Sequence, residues 1–212
     1  MPTPTEILDG LTTATAQGWM LAVAWHIAML IAIVAIALGW RPGRRLAGVL
    51  LATPLVTVSI MAWLVANPFN GTVFALLAVA LILLALRLPR DAVAPAPRWA
   101  VIAGALMVIF GWIYPHFVSP EIPLGFLYRS PFGLVPCPTL SGVIGFALLA
   151  NGLSSRAWSG VLAVAGLFYA IVGAFRLGVQ IDLVLLAGAI ALAVLAVRPD
   201  PENRVWFSAA VA

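Results

Sequence analysis

The chain has no lysine; all eleven of its basic residues are arginine. Without a lysine amine no Schiff base can form, so pyridoxal phosphate chemistry and a seven-helix retinal protein are both excluded. There is one cysteine, Cys137, and therefore no internal disulfide, which leaves the redox compartment open. Charge is scarce: 8% of the 212 residues are charged, against about 25% in soluble domains. No GxGxxG, P-loop, GxSxG or HExxH pattern occurs, and the expectation is a protein that is not an enzyme. No internal repeat of the inverted-transporter kind is visible. Met1–Gln17 carries Glu6 and Asp9 and no basic residue, so no cleavable signal is expected there.

What the chain does have is apolar surface. Hydrophobic residues make up 64% and the mean hydropathy is +1.12, which puts the chain in a lipid bilayer. A membrane helix needs about 20 apolar residues. Runs of that kind predict an all-α polytopic bundle with seven spans at 18–40, 46–66, 72–88, 99–118, 139–153, 157–175 and 179–197, in one transmembrane domain over 1–212. The fifth run is short. With the gaps taken alternately, Arg41, Arg44, Arg45, Arg87, Arg90, Arg98, Arg156, Arg198 and Arg204 fall on one side, and Arg129 and Arg176 on the other. The positive-inside rule then sets the N-terminus outside and the C-terminus in the cytoplasm of a bacterial inner membrane. Trp19, Trp40, Trp99, Trp112 and Trp158 fall near predicted helix ends, where indoles settle at headgroups. Small residues such as Gly142, Gly145, Ala75, Ala78 and Ala80 suit close helix packing. The arginines lie in short loops and form no stripe, so the pI of 10.2 does not indicate nucleic acid.

The longest outer loop, 119–138, holds Pro120, Pro123, Pro131, Pro136 and Pro138, with Glu121, Tyr128 and Arg129. Pro138 fits the first turn of the fifth helix, and Phe132–Pro136 is expected to dip into the bilayer and supply the length that helix lacks. Cys137 would then cap or adjoin a helix start, with Thr139 and Ser141 beside it. It is either a small apolar filler or a thiol facing a ligand. His26 and His116 fall on the same outer side. Two imidazoles and a thiol could hold a soft or borderline metal, or the histidines a haem, and ordinary hydrogen bonding explains each histidine equally. Asn67 and Asn70 flank Pro68-Phe69, where turn chemistry accounts for them. Asp182 is the one carboxylate that falls within a predicted span; it is either an intramembrane functional acid or a local partner of Arg176. Pro54 predicts a kink in the second span, with Thr53, Thr57 and Ser59 at hand for the freed carbonyls.

The stretch Phe132-Gly133-Leu134-Val135-Pro136-Cys137-Pro138-Thr139 resembles a bacterial family of small multi-pass membrane proteins, domain of unknown function 6064. That family carries Phe-Gly-x-x-Pro-(Cys or Asp)-Pro-Thr before a final group of apolar helices, and an Asn-bearing turn comparable to Asn67–Gly71. Here Gly71-Thr72 stands where the family has an aromatic-Ala pair. The resemblance implies no activity. It implies that position 137 takes a small polar or ionisable group, which fits ligand or ion contact better than thiol redox chemistry.

These observations support three functions. The first is a permease or channel-like protein for a small solute or ion, with Cys137, Thr139, Asn70 and Asp182 contacting it on the outer face, and the histidines nearby. The second is a non-catalytic membrane subunit or assembly factor. The third is a metal- or haem-binding protein using His26, His116 and Cys137. The expected partners are the lipid bilayer and, given the chain's size, a second copy or a larger membrane complex.

Overall fold

The computed structural model describes residues 3–118 and 124–198; Pro120, Glu121, Pro123 and Arg204, weighed above, lie outside them. The described residues are helical, and their one piece of extended pairing is an isolated bridge between Gly43 and Ala92. The α-helices are α1 (Pro4–Gln17), α2 (Trp19–Ala37), α3 (Arg44–Leu64), α4 (Pro68–Leu86), α5 (Arg98–Ile113), α6 (Pro136–Leu149), α7 (Arg156–Ile171) and α8 (Leu183–Val197). A π-turn, Val172–Arg176, extends α7, and a 3-10 turn, Gln180–Asp182, leads into α8. Five segments are long and apolar enough to cross a membrane: Trp19–Ala37, Arg44–Leu64, Pro68–Leu86, Arg156–Arg176 and Gln180–Val197. The other two apolar helices, α5 and α6, are shorter. Apolar side chains also cover the outer faces, Leu76, Leu106 and Val164 among them, as a lipid solvent requires and water would penalise.

Seven of these helices follow the seven apolar runs, with ends moved for local reasons. Asn67 accepts from the Asn70 amide at 3.1 Å and Pro68 takes N1, so α4 starts four residues before the expected 72. Tyr114 precedes Pro115 and is held out of the helical region at φ −52, ψ 109, so α5 ends at Ile113. The eighth helix, α1, was not expected. Thr3 and Glu6 form a reciprocal capping box, Thr3 N to Glu6 Oε2 at 2.7 Å and Glu6 N to Thr3 Oγ1 at 3.3 Å, with Pro4 opening the helix.

α6 is the centre of the bundle. Every residue from Pro138 to Leu148 is buried, so the helix is enclosed by protein on all sides. That is why 14 residues suffice: about 21 Å of helix need not match a roughly 30 Å hydrocarbon core it does not face. Residues 130–136 before it are buried as well and fill the remaining depth. α5 lies directly on α6. A Cβ on Gly104 would stand 2.7 Å from the Gly145 carbonyl, and one on Gly111 2.8 Å from the Gly142 nitrogen. Backbone meets backbone there, the small-residue packing that apolar solvents favour.

At one end of the bundle, arginines cap helix termini. Arg44 donates to the Leu153 and Ser154 carbonyls at 2.8 and 2.9 Å and pairs with Asp91 at 3.4 Å. Arg45 donates twice to the Leu88 carbonyl, and Arg198 lies 4.7 Å over the Trp99 ring. Trp158 departs from its expected place at the headgroups. It is fully buried and donates to the Leu81 carbonyl at 3.1 Å, because its helix face looks into the bundle. Pro54 lies inside α3, which runs on from Arg44 to Leu64. Thr53 Oγ1 donates at 2.6 Å to Leu50 O, the carbonyl that the missing Pro54 amide leaves without a partner.

Candidate functional site

The opposite end gathers the Val65–Asn70 turn, Tyr114, the start of α6, the end of α7 and Asp182 around a cavity of about 580 Å³. That volume is in the range of small-molecule sites. α1 covers it, with Glu6, Ile7, Gly10 and Leu11 in its wall.

Local chemistry builds this site from the proline-rich loop. Gly133 adopts φ +77, where a Cβ would run into the Trp25 ring, so only glycine serves. Its carbonyl accepts from Thr57 Oγ1 at 2.7 Å, and Thr57 in turn accepts from Trp25 Nε1 at 3.0 Å. Its amide donates to Thr139 Oγ1 at 2.8 Å, and Thr139 donates on to Val135 O at 2.7 Å. Ser130 donates to the Tyr114 carbonyl at 3.1 Å. These bonds satisfy the backbone of a loop that lies away from solvent. Pro136 and Pro138 then occupy positions that have no amide to satisfy, and α6 begins with Cys137 in its first turn. The paired prolines are a start signal, and they turn Cys137 into the cavity wall.

Asp182 is the buried acid of the site, 1% exposed. Its Oδ1 accepts from the Tyr114 hydroxyl at 2.8 Å. Its carboxyl packs on Gly173, in the π-turn of α7, where a Cβ would collide with Oδ2. The Cys137 thiol adjoins it. Across the cavity Asn70 is buried too, and its Oδ1 accepts from the Tyr169 hydroxyl at 2.9 Å. The side-chain nitrogen of Asn70, Nδ2, makes no hydrogen bond among the described residues, while its backbone amide is held by Asn67. Arg176 also lines the cavity but forms no ion pair with Asp182, so of the two alternatives weighed for the acid the local pairing is not formed. The acid bonds instead to the tyrosine just past the end of α5, and the guanidinium stays at the exposed rim.

Of the four ligand candidates, Cys137, Asn70 and Asp182 line the one cavity. Thr139 does not: its hydroxyl is consumed at both ends in clamping the loop. The metal candidates are not brought together. His26 is buried with Nδ1 2.8 Å from Ala22 O and Nε2 3.0 Å from Trp112 O, so both ring nitrogens face carbonyls. His116 is exposed and rests edge-on against Phe117 at 4.6 Å. Among the described residues no group of three His, Cys, Asp or Glu is arranged to hold a metal ion. Sequence reasoning missed Tyr114, Tyr169 and Gly173. The chain has three tyrosines, and two falling inside apolar runs was the available signal.

Comparison with protein-family models, with curated proteins and with solved structures returned no match.

Proposed function

We propose that the protein is a small permease or channel-like membrane protein that takes a small solute into the α1-covered cavity at its outer end. The observation that carries this reading is a buried carboxylate, Asp182, lining a cavity together with an arginine it does not pair with, Arg176. Intramembrane acids are costly and mark solute or ion paths. An acid and a base held apart can each meet the opposite charge on one solute, so the fitting class is a small zwitterion. Its ammonium would meet Asp182, and its carboxylate Arg176 and the Asn70 amide. Seven spans with the N-terminus outside agree with this reading, because the cavity then opens away from the arginine-rich end. The eight-residue stretch 132–139, which carries the resemblance to domain of unknown function 6064, meets the cavity wall at Val135, Pro136 and Cys137.

The test is uptake of labelled alanine, ethylamine and acetate into proteoliposomes of purified protein. Alanine uptake above empty vesicles, lost in Asp182→Asn and in Arg176→Gln, is expected. No uptake of any of the three by wild type sinks the transport reading, and co-purification of a stoichiometric partner would favour the subunit role instead. Uptake unchanged in Asp182→Asn removes the acid from the mechanism.

A further inference from the structure

A second cavity, of about 490 Å³, lies near the arginine-rich end between α2, α3 and α6. Its walls are apolar, with Met29, Ala32 and Ile36 facing Leu50, Val143 and Phe146. α2 is held loosely beside it: 17% of that span is buried in the bundle, against 50% for α3. Along α2 the groove runs from Trp25 to Ile36, eleven helical rises or about 16 Å, which matches the roughly 15 Å of one leaflet. An apolar space of this size stays dry, and protein interiors do not leave such volumes unfilled. Hydrocarbon is the filler at hand.

The polar end selects the headgroup. Three arginines cluster there, and two are spent: Arg44 on Leu153, Ser154 and Asp91, and Arg45 on Leu88. Arg41 lines the groove mouth beside Trp40, is exposed, and makes no hydrogen bond or ion pair among the described residues. An unspent guanidinium over an apolar slot at the membrane surface is complementary to an anionic amphiphile. We propose that this groove holds an anionic phospholipid of the surrounding leaflet, one acyl chain lying between α2 and α3 and its phosphate on Arg41. The lipid then completes the packing of α2, which the protein alone leaves open. This inference is independent of the solute reading.

The test is thermal unfolding of the whole protein in detergent with added phosphatidylglycerol, phosphatidylcholine or palmitate. Phosphatidylglycerol is expected to raise the melting temperature of wild type several degrees more than phosphatidylcholine does. Arg41→Gln should erase that difference, while Arg156→Gln, an exposed arginine of the same end, should keep it. Ala32→Phe, or the milder Ala32→Leu if the first does not fold, should weaken the response to both lipids. Equal shifts with the two phospholipids overturn the proposal, as does an undiminished preference in Arg41→Gln. A palmitate shift equal to that of phosphatidylglycerol would assign the groove to a free fatty acid and overturn the phospholipid.

Discussion

Thr139 and Tyr114 separate two kinds of buried hydroxyl. Thr139 holds the backbone of Gly133 and Val135, whereas Tyr114 holds the side chain of Asp182. Replacing Thr139 with Val keeps the shape and leaves a buried amide and a buried carbonyl unpaired, at about 1–3 kcal/mol each. Thr139→Val is therefore expected to lower stability in a detergent unfolding titration, while the cavity chemistry survives in whatever folds. Tyr114→Phe should do the reverse: a smaller loss of stability and a clear change in solute uptake or in the alkylation rate of Cys137. Gly173 adds a steric test. Its Cβ would occupy the place of Asp182 Oδ2, so Gly173→Ala must displace the acid, with an overpacking cost of about 1–3 kcal/mol and the loss of uptake. A Gly173→Ala protein with wild-type stability and wild-type uptake would contradict the geometry of the site. Residue types at helix ends were legible in the sequence, which is why Cys137, Asn70 and Asp182 were found. Which hydroxyl faces the cavity and which faces the backbone depends on rotation about each helix, and residue spacing does not carry it.

At the scale of elements, apolar runs of about 20 residues identify their helices by composition alone, so α2 to α8 could be read in order. α1 could not be found that way, because a surface helix is signalled by its cap. Thr3-Pro4-Thr5-Glu6 is that signal. The cap also gives α1 a pH dependence. The Thr3 amide, and then its hydroxyl, hold the Glu6 carboxyl below its ordinary value of 4.5. A lowered folded value means the cap's contribution is present in full above 4.5 and is lost as pH falls through the folded value. Protection factors of α1 amides, corrected for the intrinsic exchange rate at each pH, are expected to fall several-fold on acidification below that point, and at neutral pH in Glu6→Gln, while α6 amides stay protected. Exchange in α1 that ignores both changes would mean that the cap is not formed. The central place of α6 was hidden for a different reason. A short apolar run reads the same whether it is enclosed by protein or cut short at a membrane surface. Only the neighbours decide it, and here Gly104 and Gly111 bring α5 close enough to enclose it.

For the whole molecule, polarity along the bundle axis ties fold to function. One end spends arginines on carbonyls at Leu88, Leu153 and Ser154; the other encloses an acid, an amide and a thiol under α1. The proposed seven crossings would account for that division, since α3, α5 and α7 all end where α4, α6 and α8 begin. The expectation follows directly for single cysteines in a Cys137→Ala background. Thr12→Cys and Gln180→Cys should react with an impermeant maleimide added outside intact cells. Arg90→Cys and Arg156→Cys should react only after the membrane is opened. Reversal of the whole pattern would keep the bundle and invert its orientation, so that the cavity would load from the cytoplasm. A mixed pattern, with Thr12→Cys and Gln180→Cys on different sides, would break the seven-span count, because an odd number of crossings from α2 to α7 could not return the chain to the side of α1. The labelling experiment thus decides two things at once: whether an even number of crossings separates Thr12 from Gln180, and which compartment reaches Asp182.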